Sequence, residues 1–250
     1  MTELSTGWLT CPQPRRVARL RLFCFPFAGG GASTYRLWGT RLPSTVEVCP
    51  IQLPGREECC GESPFTNLVR LAVAASVELA AVLDRPFALF GHGMGALLAF
   101  EVARALRRAQ RPLPETLLLS AYCAPQSTDA CRTLVGDMPN EELVRHLTRL
   151  KAVPEATLRN PQQLGRLLPA LRADFEACDT YEYVVERPFD CPVTVFGARD
   201  DAAATAARLG EWRVQTSGVF EQLTLPGDRF YIHSHPDALL AHLASRLRRL

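Results

Sequence analysis

The stretch LFGHGMGALLAF, Leu89 to Phe100, decides how this chain is read. An apolar run enters it, glycines alternate with His92 and Met94 at positions 91, 93 and 95, and a second apolar run leaves it at helical spacing. That order reads as strand, tight turn, helix. Glycines at every second position let backbone segments approach where side chains would collide. Taken alone, such a turn is also what an ordinary strand-to-helix connection looks like, so the flanking sequence has to decide.

Working outward, short apolar runs alternate with longer segments of helical period. RLRLFCFPF from Arg19 reads as a strand ending at the turn Gly29-Gly30-Gly31, and VEVCPIQLP from Val46 as a second, closed by Pro54-Gly55. FTNLVRLAVAASVELAAVLD reads as a long helix, PFALFGH as a strand, and MGALLAFEVARALRRAQ as a helix whose basic end suits the helix dipole. TLLLSAYCAP and CPVTVFGARDD read as later strands. Strands alternating with helices predict an α/β fold with a mostly parallel central sheet and flanking helices. Between the last two strands, about residues 126–188 are rich in helix formers, and the prolines at 139, 154, 161 and 169 are expected to break them into several short helices. With no repeats or linkers, the expectation is a single domain over 1–250 with an embedded helical lid, whose helices serve packing or substrate cover.

Composition narrows the function. The 250 residues are 22% charged and 47% hydrophobic with a net charge of +2, values of an ordinary soluble globular protein that argue against nucleic acid or an anionic membrane as main partner. The basic SRLRRL end reads as the solvated terminus of a last helix. Nine scattered cysteines lack zinc-site spacing and favour a reduced, intracellular protein. No signal peptide and no membrane-spanning run is evident, so the chain reads as cytoplasmic, with no metal or other cofactor implied.

Seven segments in order resemble the type II thioesterases that accompany polyketide synthases and nonribosomal peptide synthetases. They are FCFPFAGGGAS, QLPGRE at 52–57, GHGMGALLAFEVAR, LSAYCAP at 119–125, LPALRADFEACDTYEY at 168–183, CPVTVFGARDD at 191–201 and LPGDRFYIHSHPDALLAHL from Leu225. The resemblance runs from about Leu20 to Leu247. It implies an α/β-hydrolase fold with a lid, a monomer, and action on acyl groups held by the phosphopantetheine arm of carrier proteins. It also implies a Ser-His-Asp triad with a backbone oxyanion hole.

Carried over residue by residue, that triad is mostly missing. The serine of G-x-S-x-G falls on Gly93. The histidine of the family's G-G-H-F-F segment falls on Arg229, within Gly227-Asp228-Arg229-Phe230-Tyr231. The acid falls on Asp201, with Asp200 its neighbouring alternative. The oxyanion donors fall on the backbone N–H groups of Ala28 and Met94, which do not depend on side-chain identity. An arginine is a permanent cation and cannot serve as general base. Two losses in separate segments favour natural divergence over a bench-made inactivation.

What replaces the triad stays open at this level. Arg229 beside Asp201 suggests a bidentate pair that either neutralises a buried carboxylate or binds a substrate carboxylate, enolate or oxyanion. Gly93 either relieves backbone strain or makes room for a larger or cyclising substrate. Possible acid/base groups are His92, better suited to supporting the turn, Tyr231, for which packing is favoured, and His233, for which, as for His235, a surface or capping role is favoured. Cys24 reads as a small buried hydrophobe. Two function classes remain. One is an enzyme repurposed for cyclisation, dehydration or isomerisation of a polyketide or peptide intermediate, free or carrier-bound. The other is a pseudo-thioesterase that binds a carrier protein or acyl intermediate, or an inactivated editing thioesterase.

Overall fold

Strands that are apolar at nearly every position belong in a sheet covered on both faces. The computed structural model describes residues 7–15, 17–132, 135, 138–150, 153 and 155–250. In it β1 (Leu20–Phe25), β2 (Val46–Pro50), β3 (Phe87–His92), β4 (Thr116–Ser120) and β5 (Val193–Ala198) are buried along their whole length. β6 (Phe220–Leu225) carries Glu221, Gln222 and Thr224 and is mostly half-buried, as suits an edge. The six strands form one sheet in the order β2-β1-β3-β4-β5-β6, every neighbouring pair parallel, as the alternation of strands and helices predicts. The other edge, β2, is covered by the N-terminal segment: Leu9 bridges to Ile51, and the Thr10 N–H donates to the Pro50 carbonyl at 3.1 Å.

The helices are α1 (Leu68–Ala80), α2 (Met94–Arg108), α3 (Asn140–Leu150), α4 (Glu155–Leu158), α5 (Pro161–Asp179), α6 (Ala206–Gly210), α7 (Tyr231–Ser234) and α8 (Pro236–Leu247). α1 begins where the Asn67 side chain accepts from the Arg70 N–H, an N-cap. Leu71, Ala75 and Leu79 of α1 join Leu97 and Phe100 of α2 on one face of the sheet. Tyr35, Trp38 and Leu239, Leu240 and Leu243 of α8 cover the other. The chain leaves β1 outward to β2 and then returns past β1 to β3, so the sheet's winding reverses between β1 and β3. In such sheets ligands bind at the carboxyl ends of the two strands where this reversal occurs.

α3, α4 and α5 lie between β4 and β5, where the helical segment was expected. They share a small apolar cluster of Val135, Leu143, Leu147, Leu168 and Leu171 that packs against Ala28. The expectation of short pieces needs correcting at Pro169, which sits inside the 19-residue helix α5 without ending it. The ring removes one intrahelical hydrogen bond, but Leu168 and Leu171 beside it are buried and Asp174 beyond it is ion-paired, so both halves stay anchored. Pro139 precedes α3 and Pro161 opens α5, positions a helix tolerates. Pro154 lies outside the described residues. β4 is shorter than TLLLSAYCAP suggested, because Ala121 turns to a φ of +55°. Nor is the chain wholly reduced: Cys123 is disulfide-bonded, while Cys11, Cys24, Cys49, Cys59, Cys60, Cys178 and Cys191 are free. Arg248 to Leu250 are exposed beyond the end of α8. Among the described residues, no helix is long and apolar enough to cross a membrane.

Candidate active site

The β3–α2 turn sits at the reversal point. A Cβ on Gly91 would overlap the Gly95 carbonyl, and one on Gly95 would overlap the Phe25 carbonyl at the end of β1. Both positions therefore require glycine, because backbone from β1, β3 and α2 meets there without room for a methyl group. Gly93 differs. It holds φ +56° and ψ −129° as the residue before α2, a conformation that L side chains rarely adopt. A Cβ there would meet only Phe27, at 3.2 Å from its Cβ. The contact shows how closely the loop after β1 approaches the turn after β3. Met94 is the first residue of α2, so its N–H has no acceptor within the helix. Among the described residues, neither it nor the Ala28 N–H finds a backbone acceptor. Both N–H groups lie on loops that approach each other where Phe27 meets Gly93.

The loop carrying Ala28 is held from below by three side chains. The Gln52 Oε1 accepts from the Ala32 N–H at 3.2 Å, and its Nε2 donates to the Arg56 carbonyl at 3.0 Å. Arg56 makes a bidentate pair with Asp174 of α5 at 2.6 and 2.8 Å, with both side chains buried. Asp174 also accepts from the Gly29 N–H at 2.7 Å, and Arg56 donates to the Gly30 carbonyl at 3.2 Å. Sequence reading gave these residues no role, although Gln52 and Arg56 lie in QLPGRE and Asp174 in LPALRADFEACDTYEY. A buried charge needs its partner, and that partner is 118 residues away in the chain, a pairing only folding reveals.

Asp201 and Arg229 meet as expected from their segments. Asp201 is buried after β5, where its Oδ1 accepts from the Ala203 and Ala204 N–H groups at 2.9 and 3.1 Å. Arg229, in the turn after β6, donates from Nε to Asp201 Oδ2 at 3.0 Å and from Nη2 to Oδ1 at 3.3 Å. The exposed Asp200 instead hydrogen-bonds through its backbone, to the Gly227 carbonyl. Of the two acids, the structure brings Asp201 to the arginine. The Arg229 side chain is 24% exposed, and Nη1 has no partner among the described residues.

His92 is fully buried beneath this turn. Its Nε2 lies 3.0 Å from the Arg229 carbonyl, which can only accept, so Nε2 carries the proton. Nδ1 is then the acceptor, 2.8 Å from the Ser120 hydroxyl, and Ser120 is itself hydrogen-bonded to the Tyr231 hydroxyl. The protons run one way, Tyr231 to Ser120 to His92 to the Arg229 carbonyl. Burial pushes the His92 imidazole down to about 3, with His233 adding to it. Burial pushes the Tyr231 phenol up. Both side chains are locked into supporting the Arg229 turn. Cys24 is buried on β1 with its thiol pushed up by burial. His235 precedes α8 without a side-chain capping hydrogen bond, its ring beside Gly227 and bonded to the Ser234 hydroxyl at 2.9 Å.

A cavity of about 800 Å³ opens next to this site, between Phe27, Gly29–Gly31, Ser33, Thr34 and Glu57 on one side and Thr148, Val153, Thr157, Leu158 and Leu167 of the helical segment on the other. His233 also lines it, its ring edge-on to Phe27 with centroids 5.5 Å apart and stacked on Phe230. Partial desolvation between those rings holds His233 below the usual imidazole value, though its outer side is exposed. Gly93 and Arg229 do not line the cavity; Phe27 stands between it and Gly93. Among the described residues, no group of three His, Cys, Asp or Glu side chains could hold a metal ion.

The profile of the thioesterase domain family matches residues 20–247. This chain belongs to the thioesterase family. It is 38% identical over 241 residues to gramicidin S biosynthesis protein GrsT of Aneurinibacillus migulanus, covering 96% of this chain and 94% of the relative. It is 33% identical over 228 residues to thioesterase PikA5 of Streptomyces venezuelae, covering 90% and 80%. Its fold superposes on RedJ, a thioesterase from the prodiginine pathway of Streptomyces coelicolor, with a TM-score of 0.87 at 39% identity over 93% and 92% of the two chains. The α/β-hydrolase fold of this thioesterase-family chain is thereby shown.

Proposed function

We propose that this thioesterase-family chain serves polyketide or nonribosomal peptide biosynthesis without hydrolysing thioesters by the serine–histidine–acid route, and that it carries a non-hydrolytic step on a biosynthetic intermediate. In this reading Gly93 occupies the nucleophile position, Arg229 the histidine position and Asp201 the acid position. The single observation that carries it is the bidentate Arg229–Asp201 pair next to a turn whose tip, Gly93, has no side chain. A guanidinium takes up no proton from an attacking group, and glycine offers no nucleophile, so neither half of acyl-enzyme chemistry is available. The Ala28 and Met94 N–H groups remain as donors. With the spare donors of Arg229 they would orient and stabilise a carbonyl or enolate oxygen while the substrate rearranges, which positioning and preorganised dipoles can accelerate without a covalent intermediate. The whole chain is one domain in this reading, and residues 126–188 serve as its lid. The biosynthetic setting is supported by the gramicidin S and prodiginine pathways to which GrsT and RedJ belong.

The test offers the protein acyl groups on phosphopantetheine carrier proteins and free late-stage intermediates, and follows products by mass spectrometry. No free acid above background is expected. Conversion of an intermediate that is lost in Arg229→Ala and in Asp201→Asn supports the proposal. Release of free acid overturns it, and tight binding without turnover replaces it with a binding role for carrier protein or acyl chain.

A further inference from the structure

The cavity wall holds one carboxylate that the site described above does not use. Glu57 follows the buried Arg56 and adopts a φ of +45°, strained for a residue with a Cβ. Its side chain is folded back against Gly31, where an added Cβ would overlap the carboxylate. It accepts there from the Ser33 hydroxyl and from the Ser33 N–H at 3.2 Å. Three local features thus fix an exposed glutamate: the strained backbone, the glycine that makes room for it and the serine that holds it. Yet it has no ion-pair partner among the described residues, for Arg56 beside it is committed to Asp174. The rest of the described lining consists of apolar side chains, the hydroxyls of Ser33, Thr34, Thr148 and Thr157, and His233. The depressed imidazole of His233 supplies no cation near neutral pH.

We infer that the cavity takes an acyl group bearing a protonated amine, whose ammonium is received by the Glu57 carboxylate while its methylenes lie along Phe27, Val153, Leu158 and Leu167. This rests on the proposed action on acyl intermediates and extends it by seating the acyl chain in the cavity, the acyl-binding reading tested below. An anchored carboxylate without a counter-ion, set in a partly apolar wall, attracts a cation and disfavours an anion of the same shape.

The test uses non-hydrolysable amide-linked pantetheine analogues in isosteric pairs, 6-aminohexanoyl against heptanoyl and 8-aminooctanoyl against nonanoyl. Binding to the full chain is measured by calorimetry at pH 7. For at least one pair the ammonium member is expected to bind about tenfold more tightly, the size of one charge-assisted hydrogen bond, and the preference is expected to shrink in high salt. Glu57→Gln, which keeps the shape and the Ser33 contacts, is expected to equalise the pair. Equal binding to the unaltered protein, or a preference that survives in Glu57→Gln, overturns the role of Glu57 and leaves the acyl-binding reading standing. Binding of neither member overturns both.

Discussion

At the scale of single residues, the proposed reading puts Gly93 and Arg229 in the nucleophile and histidine positions, and exchanging them for serine and histidine tests it. Gly93→Ser alone has a hydroxyl but no base to activate it, and no gain in thioester hydrolysis is expected. The double variant Gly93→Ser, Arg229→His places an imidazole against Asp201 and is expected to raise release of free acid by about 10²-fold or more over the single variant, the usual range of general-base assistance. A chromogenic thiol-release assay reads both, and an equal rate in the two variants would contradict the assigned positions. Gly93→Ser should also lower stability by about 1–2 kcal/mol, since an L residue must adopt the +56° φ and Phe27 must give way. The sequence made Gly93 visible because glycines on either side mark a turn. It hid Phe27 and Glu57, since nothing in a linear chain tells which aromatic ring walls off a cavity or which glutamate lacks a counter-ion.

Among the elements, α5 is the one that ties the helical segment between β4 and β5 to the loop after β1. Its Asp174 holds both Arg56 and the Gly29 N–H, so the loop bearing Ala28 and the helix lining the cavity share one buried ion pair. Asp174→Asn leaves Arg56 uncompensated in the interior and is expected to cost roughly 3–5 kcal/mol. Denaturant unfolding measures that loss, and a cost below about 1 kcal/mol, the range of exposed pairs, would count against the coupling. The strands were legible because burial on both faces demands apolar runs. The lid was legible as helical, but the continuity of α5 through Pro169 was not, because local propensity opposes it and tertiary anchoring decides it.

For the molecule as a whole, acid is the weak direction. His92 titrates near 6.5 when unfolded and at about 3 when folded, so below pH 6.5 the unfolded state binds more protons. Its contribution to stability is complete above pH 6.5 and is lost as pH falls toward 3, amounting to roughly 3 kcal/mol by pH 4. Glu186 adds a second loss. Burial raises its pKa, but Arg104, Arg107 and Arg108 outweigh that and hold its carboxyl at about 2, so its stabilising share is complete above the ordinary value of 4.5 and is lost as pH falls from there toward 2. Unfolding free energies measured from pH 7 to pH 4 should fall steadily in the unaltered protein and more shallowly in His92→Gln. Parallel slopes would mean that some other group governs the decline. The sequence offered His92 as a neighbour of the turn; its coupling to Ser120, Tyr231 and the Arg229 carbonyl joins β3, β4 and the turn after β6, a meeting of three distant segments.

Gly91 and Gly95 are demanded by neighbouring backbone, whereas a side chain between His92 and Met94 would meet Phe27 alone. Folding alone therefore demands the outer glycines, whereas at position 93 it opposes other residues only through the left-handed backbone and the Phe27 contact. On the proposed reading, a lineage that discards the reactive group still inherits the turn and the Ala28 and Met94 N–H groups beside it. Glycine spacing in this turn is thus a record of shape, and on the proposed reading a genome survey that sorts members by the residue at position 93 separates hydrolases from relatives that have taken up other work.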